Sequence, residues 1–185
     1  MENREIECRF LEIDKEALIQ KLRELGAEDK GEVMLEETIV YDKDLNWKKE
    51  HKLIKIRKSG DNITLTFKHR ESDAIDGTKE IEFGIDNYKK AEQFFDAIGL
   101  VPYRKQQKLR HTFILDDVTL DIDTWPRIPT YVEFEAMSEE AIKKAVEKVG
   151  LDWGNHITSP PATVIESVYN IPVRQMRHFT FDRFE

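Results

Sequence analysis

A two-residue alternation of ionic and apolar side chains, recurring along seven segments of this 185-residue chain, limits its fold more than any other feature. Glu5-Ile6-Glu7-Cys8-Arg9-Phe10 sets the pattern. It returns in Leu53–Arg57, Ile63–Lys68, Glu80–Phe83, Lys108–Phe113, Val118–Asp123 and Tyr131–Glu135. Side chains two apart on a strand share a face. One set of faces therefore carries Glu5, Glu7, Arg9, Lys55, Arg57, Lys68, Glu80, Glu82, Lys108, Arg110, Asp121, Asp123, Glu133 and Glu135. The opposite set carries Ile6, Cys8, Phe10, Ile54, Ile56, Leu65, Phe67, Ile81, Phe83, Leu109, Phe113, Leu120, Ile122, Val132 and Phe134.

The wet face of an ordinary half-buried sheet mixes Thr, Ser and Gln among its charges. Here nearly every site is ionic, and like charges such as Glu5 and Glu7, or Glu133 and Glu135, stand two apart and repel unless a cation lies between them. Turning the charges inward in a closed sheet brings acids, Lys and Arg together and leaves the apolar faces outside for helices to cover. Three amphipathic helices are available to cover them. They span Lys15–Leu25 after the N-cap Asp14, Asn87–Ile98 after Asp86, and Glu139–Val149 after Ser138, and each is followed by glycine. A weaker helix begins near Ser159. Ser59–Asn62 reads as a hairpin turn, Asp116-Asp117 as a fair one, and residues 71–78 as a polar loop. The fold class is α+β, with a many-stranded antiparallel sheet and helices packed outside.

Composition removes several classes. No run approaches the ~18 apolar residues of a membrane helix, and the opening MENREIECRF lacks the apolar core of a signal peptide. Lone Cys8 forms no internal disulfide, and five scattered His make no zinc site. With 29 basic against 37 acidic residues the net charge is −8, which disfavours nucleic acid and anionic membrane as partners. No Walker loop and no Gly-x-Ser-x-Gly is present. The expectation is a cytoplasmic protein with a single domain over residues 1–185.

An interior of clustered carboxylates and six Lys/Arg side chains supports a narrow chemistry. Carboxylates are hard ligands suited to Mg²⁺ or Mn²⁺, and facing cations suit a compact polyanion such as a phosphate chain. Metal held beside basic clamps is the arrangement that phosphoryl transfer uses.

In this order the segments resemble the CYTH superfamily, the triphosphate tunnel metalloenzymes. The family's N-terminal Glu-x-Glu-x-Lys corresponds to Glu5-Ile6-Glu7-Cys8-Arg9, and its basic pair to Lys55-Ile56-Arg57. Its next strand resembles Leu65-Thr66-Phe67-Lys68. Glu80-Ile81-Glu82, Lys108-Leu109-Arg110, Ile122-Asp123-Thr124-Trp125-Pro126 and Glu133-Phe134-Glu135 follow, so that the likeness spans about residues 4–150. It implies a closed eight-stranded antiparallel β-barrel, a tunnel with a charged interior. It also implies Mg²⁺ or Mn²⁺ on Glu5, Glu7, Glu133 and Glu135 with help from Asp123. Arg9, Lys55, Arg57, Lys68, Lys108 and Arg110 then grip phosphates, while Glu80 and Glu82 bind a second metal, orient the basic groups or position water.

The implied function is a metal-dependent triphosphatase acting on tripolyphosphate, thiamine triphosphate or ATP, as a monomer or homodimer. The alternatives are a class IV adenylate cyclase and a non-catalytic polyphosphate or nucleotide-binding module. Arg9 replaces the lysine of the leading motif and stays protonated, so it is no general base; a role clamping phosphate or orienting water is the one expected of it. Lys55 replaces an arginine. Trp125 reads as packing at a strand end, His111 as a residue of the apolar face rather than a ligand, and the tail from Arg174 to Phe184 as a last strand or a flap over the tunnel mouth. Trp47 and Trp153 carry no motif.

Overall fold

The computed structural model describes residues 3–72 and 77–185, with the side chains of residues 3–5 left outside that description. Part of the expected polar loop, residues 73–76, lies outside it too. The strands are β1 (Asn3–Phe10), β2 (Glu28–Asp42), β3 (Lys52–Ser59), β4 (Asn62–Arg70), β5 (Thr78–Ile85), β6 (Leu100–Leu115), β7 (Val118–Thr124), β8 (Tyr131–Ala136) and the two-residue β9 (His178–Phe179). The helices are α1 (Lys15–Glu24), α2 (Asn46–Lys49), α3 (Tyr88–Ala97), α4 (Glu139–Val149) and α5 (Pro161–Ser167).

The eight longer strands form one curled antiparallel sheet in the order β2-β3-β4-β5-β1-β8-β7-β6, and β2 also pairs with β6 along most of its length. Among the described residues β9 alone pairs in parallel, lying against Lys105 and Gln106. The expected turns are in place: Ser59 faces Asn62 across the β3–β4 hairpin, and Leu115 faces Val118 across β6–β7. Register sets the charged side chains opposite one another, Glu7 beside Glu135 and Arg9 beside Glu133 on β1–β8, Asp121 beside Glu133 on β7–β8.

Outside the sheet, α1 and α4 cover the apolar faces of β1, β6, β7 and β8 in a core containing Cys8, Phe10, Leu22, Phe113, Leu120, Phe134 and Ile142. Both helices start on a side-chain cap, Asp14 accepting from the Ala17 N–H and Ser138 from the Ala141 N–H. Burial of that stripe against the sheet, rather than helix propensity, stabilises segments of 10 and 11 residues. The second helix begins one residue later than expected, because Asn87 and not Asp86 caps it through the Lys90 N–H at 2.9 Å. It closes a second core over Val40, Ile54 and Ile56.

Three features depart from the sequence reading. β2 was not anticipated as a strand, β6 starts eight residues before the expected Lys108, and no helix covers the outer face of β5, where Ile81 and Phe83 are 58% and 54% exposed. Gly31, at φ +86°, carries β2 through a register shift between Asp29 and Glu32; a side chain would be strained there. Among the described residues no helix is long and apolar enough to cross a membrane.

Candidate active site

Inside the curl of the sheet lies a cavity of about 690 Å³. Ten of the thirteen residues singled out from the sequence line it: Glu7, Lys55, Arg57, Lys68, Glu80, Glu82, Lys108, Arg110, Glu133 and Glu135. They come from β1, β3, β4, β5, β6 and β8, so that the alternation on separate strands converges on one space. The backbone of Glu5 pairs with Thr78 in β1–β5, but its side chain lies outside the described residues. Asp123 and Arg9 are fully buried and do not line the cavity.

The charges hold one another. Arg110 is the hub: Nε and Nη2 bond Asp123 at 2.7 and 2.6 Å, Nη2 bonds Glu133 at 2.7 Å, and Nη1 bonds Asp121. Lys108 donates to Asp123 as well. Arg9 donates to Glu7 and Glu133 at 2.9 and 3.0 Å and to the Ser159 carbonyl. Burial works against the Arg9 charge, but Glu7 and Glu133 outweigh it and hold the guanidinium protonated. With its nitrogens committed to protein acceptors, Arg9 is placed to fix two carboxylates. Burial alone would raise the Glu133 pKa; Arg9, Lys108 and Arg110 instead hold it well below the usual carboxylate range. Lys68 pairs with Glu80 at 2.6 Å, and the Thr66 hydroxyl donates to Glu82 at 2.6 Å.

Glu37, on the unanticipated β2, is the functional residue that sequence reasoning missed. It is 3% exposed and accepts from Arg57 Nε at 2.8 Å and Gln106 Nε2 at 2.6 Å, with Lys55 Nζ at 4.0 Å. It anchors the basic pair while lining the cavity itself. Lys55 itself is pushed down to about 7, first by burial and then by Arg57 and Lys68, against the opposing pull of Glu37.

Carboxylate oxygens are the right donors for a hard divalent cation. Glu7 and Glu135 are cross-strand partners, so two acids stand side by side on the cavity face. Like charges so placed are relieved by a cation. Among the described residues, no three His, Cys, Asp or Glu side chains are gathered into a preformed metal cluster. Glu7 and Glu135, paired in register, with Glu133 two residues along β8, are the cavity-facing acids from which a metal site would be built.

Residues that follow β8 contribute to the cavity lining, Pro160, Pro161, Ala162 and Ile165 among them. Ile157 bridges the backbone of Arg9, and Val173 and Arg174 reach the cavity wall. Of the tail, His178–Phe179 form the short strand β9 and Arg174 lines the cavity. Trp125 is 4% exposed, donates to the Tyr131 hydroxyl at 2.8 Å and stacks on Phe179, in keeping with packing. His111 is 8% exposed on the outer face and bonds Asp29 at 2.6 Å.

The profile of the CYTH domain family matches residues 3–158. A protein of Methanocaldococcus jannaschii, named as a candidate adenylate cyclase, is 24% identical over 132 residues, 71% of this chain and 75% of its own. Two solved structures share the fold. One, from Pyrococcus horikoshii OT3, has a TM-score of 0.73 at 20% identity, covering 84% of this chain and 96% of its own. The other, from Hippeastrum, is described as a candidate adenylyl cyclase with a dominant triphosphatase activity; its TM-score is 0.61 at 14% identity, covering 89% and 95%. With the profile matching from Asn3 to Thr158 and the alternating charged strands converging on one cavity, this chain belongs to the CYTH domain family.

Proposed function

We propose that this protein is a divalent-metal-dependent triphosphatase that hydrolyses a triphosphate within the curl of its sheet. The observation that carries this reading is the cavity lining: Lys55, Arg57, Lys68, Lys108 and Arg110 face one space together with Glu7, Glu133 and Glu135. The β2–β6 pairing supports taking the curled sheet as a tunnel open along its axis, and the chain as one working unit.

In this reading the five cations bind and orient the phosphate chain, and Arg57 arrives preorganised by Glu37. Fixed charges facing one cavity neutralise developing negative charge without reorganising. Glu7 and Glu135, with Glu133 and by expectation Glu5, hold Mg²⁺ or Mn²⁺, which when bound supplies charge neutralisation and an acidified water. Asp123 holds Lys108 and Arg110 in place, and Arg9 does the same for Glu7 and Glu133. Glu80 positions Lys68, while Glu82, on the open side of the cavity, orients water. Hydrolysis asks only for triphosphate recognition, which these residues provide, and the triphosphatase activity described for the Hippeastrum protein agrees with it. The Methanocaldococcus name favours the cyclase alternative.

A product assay separates the two. Purified protein with Mg²⁺ or Mn²⁺ is offered tripolyphosphate, thiamine triphosphate and ATP in turn, and products are read by phosphorus NMR and chromatography. Orthophosphate release is expected. Cyclic AMP with pyrophosphate would make the protein a cyclase, and binding without turnover would make it a non-catalytic module.

Lys55 gives the site a pH signature. Its folded pKa of about 7 lies below the ~10.4 of a free lysine, so above pH 7 the empty cavity holds it largely neutral. A bound triphosphate raises that pKa again, so binding takes up a proton and affinity falls as pH rises from about 7 to about 9. Calorimetry of tripolyphosphate binding in buffers of differing ionisation enthalpy should show this uptake, and Lys55→Arg should abolish it. Uptake unchanged in that variant would assign the proton elsewhere.

A further inference from the structure

The helix layer outside the sheet has a gap. α1 and α4 pack over β1, β6, β7 and β8, and α3 over Val40, Ile54 and Ile56 of β2 and β3. Between them β4 and β5 lie open. On their outer faces the register pairs Phe67 with Ile81, Leu65 with Phe83 and Ile63 with Ile85, six apolar side chains with no charge among them. Ile81 and Phe83 are exposed, and the other four are half-buried.

α3 adds a wall to this face. Its Glu92 accepts from Thr38 of β2 at 2.8 Å and stands 3.8 Å from Lys105 Nζ of β6. Phe94 and Ile98 share a stripe with Ala91, three and seven residues before them, on the flank that turns away from β6 and towards β4 and β5. They are 59% and 56% exposed. Of nine large apolar side chains left exposed among the described residues, four therefore gather at one gap.

The area suits a second copy of the chain. A Phe buries roughly 150–250 Å², so Ile81, Phe83, Phe94 and Ile98, each more than half exposed, present roughly 400 Å² together. Two copies face to face remove about 800 Å² of apolar surface; as homodimer interfaces are about 65% apolar, the whole contact comes to about 1,200 Å², above the ~1,000 Å² that a specific interface needs.

The pattern is also self-complementary. A two-fold axis in the interface plane, running along the strands between β4 and β5, lays β4 of one copy on β5 of the other. Phe67 then meets Ile81 and Leu65 meets Phe83. Each ring faces an aliphatic side chain, the large-against-small match by which aligned sheets pack. We infer that the outer face of β4 and β5, flanked by Phe94 and Ile98, is the interface of a two-fold homodimer that packs two sheets face to face. The inference is independent of what the cavity binds, because these side chains lie on the opposite face of β5 from Glu80 and Glu82.

Sedimentation velocity of the full chain tests it. At about 100 µM wild-type protein should sediment at twice the mass of the chain, since contacts of this area reach micromolar Kd or tighter. Phe83→Glu, at a position already 54% exposed, should stay folded by circular dichroism and sediment as a monomer. Phe94→Glu, on the helix wall, should weaken the dimer about tenfold or more and gives the same reading should the strand variant fail to fold. Each copy carries a net charge of −8, so added sodium sulfate, which screens that repulsion and strengthens apolar contact, should tighten the wild-type dimer. A wild-type monomer at that concentration, a dimer that survives both substitutions, or one that the salt dissociates would overturn the inference.

Discussion

Arg110→Met is expected to be the most damaging single substitution in the protein. It removes the guanidinium that bonds Asp121, Asp123 and Glu133 at once, three acids that are 7%, 0% and 8% exposed. Breaking a buried pair by deleting one partner costs on the order of 3–5 kcal/mol; Glu133 keeps Arg9 and Asp123 keeps Lys108, so the loss falls most on Asp121. The pH dependence should also change sign. In the wild type, Glu133 has a depressed pKa, so its contribution to stability is present above the unfolded value of ~4.3 and lost as pH falls through the folded value. In the variant, protonation relieves the repulsion among acids that have lost a counter-charge, and stability should increase on mild acidification. Urea unfolding between about pH 5 and pH 8 reads both effects. A loss below about 1 kcal/mol, or an unchanged pH trend, would show that Arg110 is not the hub of this network.

Glu135→Gln should do the opposite, sparing the fold and removing the reaction. Glu135 is exposed on the cavity wall and stands beside Glu7 across β1–β8. Its amide analogue keeps shape and hydrogen bonding but loses a hard anionic donor. Turnover should fall by about 10²-fold or more, the scale on which deleting one transition-state electrostatic contact acts, with unfolding stability within about 0.5 kcal/mol of wild type, as for most surface changes. Glu7→Gln should lose comparable activity and some stability, because Glu7 also receives Arg9. Full activity in both variants would leave no role for a carboxylate-held metal.

Much of this was legible because strand alternation translates directly into a face. Both members of four motifs with charges two apart, Lys55/Arg57, Glu80/Glu82, Lys108/Arg110 and Glu133/Glu135, line one cavity together with Glu7 and Lys68. The capped helices were equally plain, since Asp14 and Ser138 announce starts that the structure confirms. β2 was not. Its two adjacent acids, Glu36 and Glu37, run into Thr38-Ile39-Val40-Tyr41, which is buried on both faces, so neither period two nor 3.6 shows. The β-branched and aromatic residues there were the available signal. With β2 went Glu37, whose role depends on Gln106 at a distance of 69 residues in sequence. The start of β6 escaped for a related reason: the strand extends past the segment in which charge alternates, through Leu100-Val101-Pro102. The placement of Arg9 was hidden as well, since its bond to the Ser159 carbonyl depends on a segment following the last long strand.

The site as a whole is tested most directly by a crystal structure of the protein with tripolyphosphate and Mn²⁺, using the anomalous signal of manganese. Phosphates are expected among Lys55, Arg57, Lys68, Lys108 and Arg110, with manganese between Glu7 and Glu135. Tripolyphosphate bound elsewhere on the molecule, or manganese held by residues outside the cavity, would contradict the triphosphate site.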